Sequence, residues 1–355
     1  MKIRVPLGII TAVMMILAVM VLPVSAAGVA PQCNADPADP VDVTTTVNIA
    51  TGGGSIPVVL SSWVADTTSS LEDGDPTHAI SGSQFLPPVS YLGKKDIEFF
   101  AVVWDDEDNG NVNVVSWDVY HPLNAWGNGS FKYQVMGTQI TDQAEAIALF
   151  QDAMDAGLLT VAGEFDANVI LTEYLEKGTA AVWVGTADLD YHQPAGDYRV
   201  LANAIDFNNN WAEPLESNFL YVPVAAFEID FDTVNYGNVN INTHKWVAGN
   251  TIFNPGDNRP TLRNIGNTAL QVTINQDDMG LGESLSGWNV QWDARMGNDN
   301  AYTMVYEPFE TVTLPNALPL CNTEELDFSI QVFKGTTGTK TGTMTLGAVI
   351  SPIPV

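Results

Sequence analysis

From Ile56 onward short apolar runs alternate with turn-forming residues: IPVVLSSWV, DIEFFAVVW, NVVSWDVYHP and SFKYQVMG. Segments this short, rich in Val, Phe and Trp and bounded by Gly, Asn, Asp and Pro, predict the strands of an antiparallel sandwich. The pairs Asn109-Gly110 and Asn128-Gly129 tolerate positive φ, so each predicts a two-residue hairpin turn. The period then changes. TDQAEAIALFQDAMDAG places Ile147, Phe150 and Met154 on one helical face, with Thr141 or Asp142 as N-cap and Gly157 at the end. DANVILTEYLEKG predicts a shorter helix, with Ile170 and Tyr174 one turn apart and Gly178 as the cap. Strand patterns resume at AAVWVGTADL and GDYRVLANAIDF. The helices therefore fall between strands, where they are expected to cover an open sheet edge.

A boundary is expected near LYVPVAAFEIDF, Leu220 to Phe231. Beyond it, Asn-rich turns such as NPGDN and NIGN separate strand-like runs, and no helical period appears. Trp63, Trp104 and Trp117 lie inside apolar strand patterns and are expected in a core. The closing run TGTKTGTMTLGAVI reads as an exposed edge strand, with Lys340 as a guard against indiscriminate pairing.

Composition sharpens this picture in three ways. Lys2 and Arg4 precede an apolar run from Leu7 to Leu22 and then Pro-Val-Ser-Ala-Ala, the layout of an export signal. Residues 1–27 are read as a cleaved signal peptide, with an uncleaved anchor as the competing reading. No later run is apolar enough to span a bilayer. The formal charge is −29, from 13 basic and 42 acidic residues. Such a surface repels nucleic acid and anionic lipid and suits high salt, divalent cations or a cationic partner. The 46% of hydrophobic residues argues for packed cores and against disorder. Finally, the two cysteines, Cys33 and Cys321, are expected to form a disulfide in an oxidising compartment.

AGDYRVLANAIDFNNNWAE, with Gly196, Tyr198, Val200, Ala204, Asp206 and Asn210, resembles the last strands of immunoglobulin-like repeats in secreted bacterial and archaeal cell-surface proteins. Asn208 or Asn209 stands where those repeats carry glycine. The resemblance implies that Tyr198 packs at the sheet corner and that Asp206 opens the final turn. FDTVNYGNVN and PTLRNIGNTALQVTI resemble a second kind of secreted sandwich. The expected fold is mainly β: two tandem Ig-like β-sandwich domains, the first with a short helical insertion. The expected divisions are a signal at 1–27, an extended arm at 28–54, and a first sandwich at 55–224 with its insertion at about 141–178. A second all-β sandwich follows at 225–355.

Candidate chemistry is sparse. In DDEDNG the EF-hand spacing fails, because Ser116 stands where a bidentate Glu belongs and a strand follows instead of a helix. A sandwich-type calcium site remains, formed by Asp105, Asp106 and Asp108 and joined by Asp206 if the two loops share one end. Asp188, Asp190, His192 and Asp197 lie close in sequence, a weak transition-metal pattern. The four histidines include no HExxH pair, and there is no Gly-x-Ser-x-Gly elbow. With 42 acids, no carboxylate pair is marked as a glycosidase site. Trp126 and Trp211 fall in turns, where they could be exposed for sugar stacking or subunit contact. Asn128-Gly129-Ser130 is a glycosylation sequon.

The function expected from these features is a secreted, non-catalytic surface protein used for structure, assembly or adhesion. Its partners would be other surface proteins, itself or glycans. The alternatives are a carbohydrate-binding module using Trp126 and Trp211, and, behind it, a secreted hydrolase with carboxylate catalysis.

Overall fold

The computed structural model describes residues 55–66, 83–88, 90–106, 109–123 and 131–352. The signal, the arm, Cys33, Asp108, Trp126 and the Asn128 sequon lie outside the described residues. The chain is mainly β.

The first sandwich begins with β1 (Val58–Asp66), β2 (Ser83–Phe85), β3 (Lys94–Trp104), β4 (Val112–Tyr120) and β5 (Phe131–Met136). It continues with β6 (Thr138–Gln139), β7 (Thr160–Val161), β8 (Ala180–Asp190), β9 (Gly196–Asp206) and β10 (Leu215–Tyr221). One sheet runs β6-β8-β3-β1-β7 and the other β2-β10-β9-β4-β5. Their facing side chains form one core that includes Phe99, Trp117, Val200 and Phe219.

Helix α1 (Gln143–Asp155) starts at Asp142, whose carboxylate accepts from the amides of Ala144 and Glu145 at 2.9 and 3.3 Å. It stops at Gly157 (φ 70°), where Gly157 N donates to Met154 O and Leu158 N to Ala153 O, a Schellman cap. Helix α2 opens as one α-helical turn, Ala167–Val169, and continues as a π-helical stretch, Ile170–Leu175. Gly178 closes it in the same manner.

These helices cover the outer face of the first sheet, not its edge as the sequence suggested. Phe150, Ala153, Ile170 and Leu175 pack on Leu60, Trp63, Phe100 and Val182. Trp63 stacks on Phe100 at 4.9 Å and meets Phe150 edge-on at 5.9 Å. The sheet is thus apolar on both faces, which explains why DIEFFAVVW and AAVWV are near-continuous apolar runs with little alternation.

DDEDNG is also not a hairpin turn. β3 pairs with β1 and β8, whereas β4 pairs with β5 and β9, so both strands already have two neighbours. β3 and β4 lie in different sheets, and between them the chain forms a 3-10 turn at Asn109–Asn111. The Asn-Gly pair is a local signal, and strand pairing across the whole domain overrides it.

The second sandwich contains β11 (Phe227–Ile229), β12 (His244–Val247), β13 (Thr261–Asn264), β14 (Leu270–Gln276), β15 (Glu283–Ser284) and β16 (Gly287–Trp288). After these come β17 (Val290–Met296), β18 (Met304–Tyr306), β19 (Thr311–Thr313), β20 (Thr323–Val332) and β21 (Met344–Ile350). The order β11-β13-β20-β17-β18, with β12 also on β20, faces the three-stranded order β19-β14-β21. Leu262, Val272, Trp292 and Phe328 lie in the core between them. No helix among the described residues is long and apolar enough to cross a membrane.

Candidate functional site

The outer face of β5-β4-β9 is the first place where the fold presents chemistry. Cross-strand register sets Met136, Ser116 and Asn203 side by side, and in the next row Gln134, Asp118 and Leu201. Trp211 joins this face through an antiparallel bridge to Ile205. Ser116, Asp118, Gln134, Met136, Asn203 and Trp211 line a concavity of about 340 Å³. Trp211 is 60% exposed and Met136 56% exposed, while Trp117 on the opposite face of β4 is fully buried.

Asp118 is the carboxylate in this concavity. Gln134 Nε2 donates to its Oδ1 at 2.8 Å and Asn203 Nδ2 to its Oδ2 at 3.2 Å. Burial pushes the Asp118 carboxyl above its usual range, and the two amide donors pull the other way. A glycosidase needs two carboxylates across the scissile bond, and the lining supplies one. A second concavity of about 190 Å³, between α1, α2 and β8, is lined by residues such as Gln139, Gln143, Ile147 and Leu175, with no acid or histidine.

The loops carrying the calcium candidates do meet at one end of the first sandwich. Ser55 Oγ donates to Asp105 Oδ1 at 2.9 Å and Asn111 Nδ2 to Asp105 Oδ2 at 3.3 Å. Asp206 accepts from the backbone N of Asn210 at 2.7 Å and from its Nδ2 at 2.8 Å. Asn210 Nδ2 also reaches the Ser55 carbonyl, so Ser55 ties the two loops together. Asp105 and Asp206 are both buried, Asp106 is exposed, and Asp108 lies outside the described residues. Among the described residues no group of three or more His, Cys, Asp or Glu side chains gathers to hold an ion. Asn209 takes φ 69° in the Asp206 turn, the αL position for which glycine was expected. Replacing Asp206 with Ala is expected to cost about 2 kcal/mol, read from a urea midpoint, because two donors lose their acceptor.

Tyr198 packs where the resemblance implied, its hydroxyl donating to Pro194 O at 2.7 Å. Beside it, His121 lies tilted against the Tyr198 ring, with centroids 4.3 Å apart, and its Nε2 is 3.1 Å from Ala195 O. Burial pushes the His121 pKa down to about 4. The unfolded chain therefore binds a proton that the folded one refuses between about pH 6.5 and pH 4. This contribution to stability is present above pH 6.5 and fades as pH falls. After a discount for partial exposure it is on the order of 2 kcal/mol. His121→Gln is expected to flatten the dependence of the urea midpoint between pH 7 and pH 4.

The sequence pointed to Trp211, Asp105 and Asp206 as candidates, and it gave no sign of the junction between the sandwiches. There Asn267 Oδ1 accepts from Val224 N at 2.7 Å and its Nδ2 donates to Val222 O at 2.9 Å. The Asn267 carbonyl takes the Ala195 amide of the first sandwich at 2.9 Å. Arg263 lies over the Tyr91 ring at 3.4 Å and pairs with Glu228. Asn264 Nδ2 donates to three carbonyls, of Thr268, Leu318 and Pro319. The NIGN motif is thus a clamp on the connecting segment. Only its turn-forming composition was visible in the sequence. Cys321 is 3.2 Å from the Tyr191 hydroxyl, and no free cysteine occurs among the described residues.

No family model matches the chain, and no curated protein matches it. Among solved structures it is similar to the chaperone–tip adhesion subunit pre-assembly complex of the archaic chaperone-usher Csu pili of Acinetobacter baumannii. The identity is 12%, covering 75% of this chain and 96% of that one, with a TM-score of 0.27. It is also similar to the C-terminal domain of the Streptococcus pyogenes antigen I/II-family protein AspA, at 11% identity, 83% and 95% coverage and a TM-score of 0.22. A chaperone–tip adhesin complex of CFA/I fimbriae matches at 7% identity, 84% and 92% coverage and a TM-score of 0.26. Scores this low record strand-rich overlap and not a shared chain path.

Proposed function

We propose that this chain is a non-catalytic structural and assembly protein of the cell surface, and that it associates with a second copy through the open edge of β21. The observation that carries this is the hydrogen-bonding phase of that strand. Among the described residues β21 pairs with β14 on one side and stands last in its sheet. Ser351 N donates to Ala269 O, and Asp277 N to Thr343 O, on the same diagonal of the register. In an antiparallel ladder bonded residues alternate, so Thr345, Gly347 and Val349 face β14 with their amides. Met344, Leu346, Ala348 and Ile350 direct N–H and C=O to the open edge, while Met344, Leu346 and Ala348 pack their side chains on the core.

The charge pattern supports the same surface. From Gly335 to Val355 there is no acidic residue, and Lys340 is the lone charge, within a chain of net charge −29. An isologous β21–β21 pairing is the simplest closed use of such an edge. The 42 acids elsewhere repel a second copy, and that repulsion is screened over about 10 Å at 0.1 M salt. Sedimentation velocity across a salt series is therefore expected to show association growing with ionic strength. A monomer at every salt and protein concentration would remove the proposal.

Location at the cell surface rests on the export signal in the sequence, and adhesion is the neighbouring reading. The Cys33–Cys321 bridge belongs to the same proposal: titrating the unfolded, unreduced protein should find no thiol. Calcium at Asp105, Asp106, Asp108 and Asp206 is read by melting with calcium against chelator. A rise in melting temperature supports an ion, and indifference leaves these carboxylates as clamps. Modification of Asn128 would appear as added mass on its peptide.

A further inference from the structure

The geometry points to a binding site for a neutral carbohydrate chain on the outer face of β5-β4-β9, with Trp211 as the stacking platform and the Gln134–Asp118–Asn203 network as the hydroxyl-reading group. This site is independent of the β21 edge and uses a different sandwich.

Three observations converge on that ligand. First, Trp211 exposes 60% of its surface at the rim of a concavity, whereas Trp63, Trp117 and Trp292 are buried. A flat aromatic face beside polar groups is suited to the C–H face of a pyranose ring, which is apolar in its centre and ringed by hydroxyls. Second, Asp118 holds one N–H from each of two amides, through Gln134 Nε2 and Asn203 Nδ2. That fixes both amides in one orientation. Their carbonyl oxygens have no donor among the described residues, and each Asp118 oxygen keeps a second acceptor position. The network therefore offers a fixed row of acceptors, which a ligand rich in hydroxyl donors satisfies. A preorganised network of this kind costs little further ordering when the ligand arrives.

Third, spacing and charge restrict the class. Ile205 with its bridge partner Trp211, then Asn203 with Ser116, then Asp118 with Gln134, form successive cross-strand rows. Rows on one face of a strand are about 6.7 Å apart, so the backbone rows that carry Trp211 and Asp118 are about 13 Å apart along β9. That separation suits an extended oligosaccharide better than a single sugar. Asp118 within the site, and a chain of net charge −29 around it, repel anionic glycans. With one carboxylate in the lining, the site binds a glycan and does not hydrolyse it.

Affinity electrophoresis tests this on the full mature chain, in native gels carrying mannan, hydroxyethylcellulose or dextran, with polygalacturonate as the anionic comparison. At least one neutral polysaccharide is expected to retard the protein, and polygalacturonate is not. Trp211→Ala should weaken that retardation about tenfold or more, and Trp211→Phe should recover part of it. Gln134→Ala and Asn203→Ala should each weaken it severalfold, with melting temperatures showing that all variants remain folded. The inference is overturned if no neutral polysaccharide retards the protein, if Trp211→Ala migrates like the parent in every gel, or if polygalacturonate retards it most. None of these readouts depends on β21.

Discussion

Replacing Ala348 with proline is expected to abolish association while leaving the monomer folded. Ala348 lies at a position of β21 whose N–H points away from β14, so the substitution removes no bond within the sheet. Proline is tolerated in edge strands where its missing donor would face solvent. The loss in monomer stability should stay near 1 kcal/mol, the cost of adjusting φ in a partly buried strand. In a two-fold strand pairing the same change deletes a donor on both copies and leaves two acceptors unpaired. Association should weaken by at least about 3 kcal/mol, which is more than a hundredfold. Gly347→Pro provides the contrast. Its N–H faces β14, so it should destabilise the monomer by about 3 kcal/mol. If Ala348→Pro associates like the parent in sedimentation velocity, the edge is not the contact.

Gly266→Ala should cause a large loss of stability for the addition of a single methyl. A Cβ on Gly266 would lie 2.2 Å from Val224 O and 2.7 Å from Ala226 N, both backbone atoms that cannot swing aside. Relief requires moving the connecting segment off the clamp that Asn267 forms on Val222 and Val224. A cost of about 3–4 kcal/mol is expected from such overpacking of backbone. Asn267→Ala removes no space but orphans a buried donor and a buried acceptor, for about 2–3 kcal/mol. Both variants should also loosen the coupling between the sandwiches. Calorimetry should then show two transitions where the parent shows one, the earlier belonging to the second sandwich. A single transition at the parental temperature for Gly266→Ala would mean that the connection is not close-packed.

What could be read from the sequence was local or periodic. Asp142, Gly157 and Gly178 announce the helix ends because caps use the side chain or φ of one residue. The apolar runs of β1, β3, β4 and β9 announce strands for the same reason. DDEDNG was misread because a hairpin and a sheet-to-sheet crossover share turn chemistry and differ only in which distant strands pair. The helices were assigned to an edge instead of a face because nothing local says that a sheet is apolar on both sides. The hint was there in DIEFFAVVW, whose unbroken run suits a doubly covered strand. Trp211, expected in a turn, instead forms a β-bridge to Ile205 and is exposed. Its partners Asp118, Gln134 and Asn203 come from three strands and meet only through register. The closing strand β21 was legible in TGTMTLGAVI, whereas the N–H groups left facing away from β14 follow only from its register.

The most direct test of the assembly proposal is residue-resolved amide hydrogen exchange along β21, at low salt as monomer and at high salt as assembly. In the monomer the amides of Thr345, Gly347 and Val349 should be protected, and those of Leu346 and Ala348 should exchange quickly. On association Leu346 and Ala348 should gain protection of about a hundredfold, while the odd-numbered positions change little. If the assembled form leaves Leu346 and Ala348 as fast as in the monomer, the copies meet elsewhere and the open edge of β21 is not how this protein assembles.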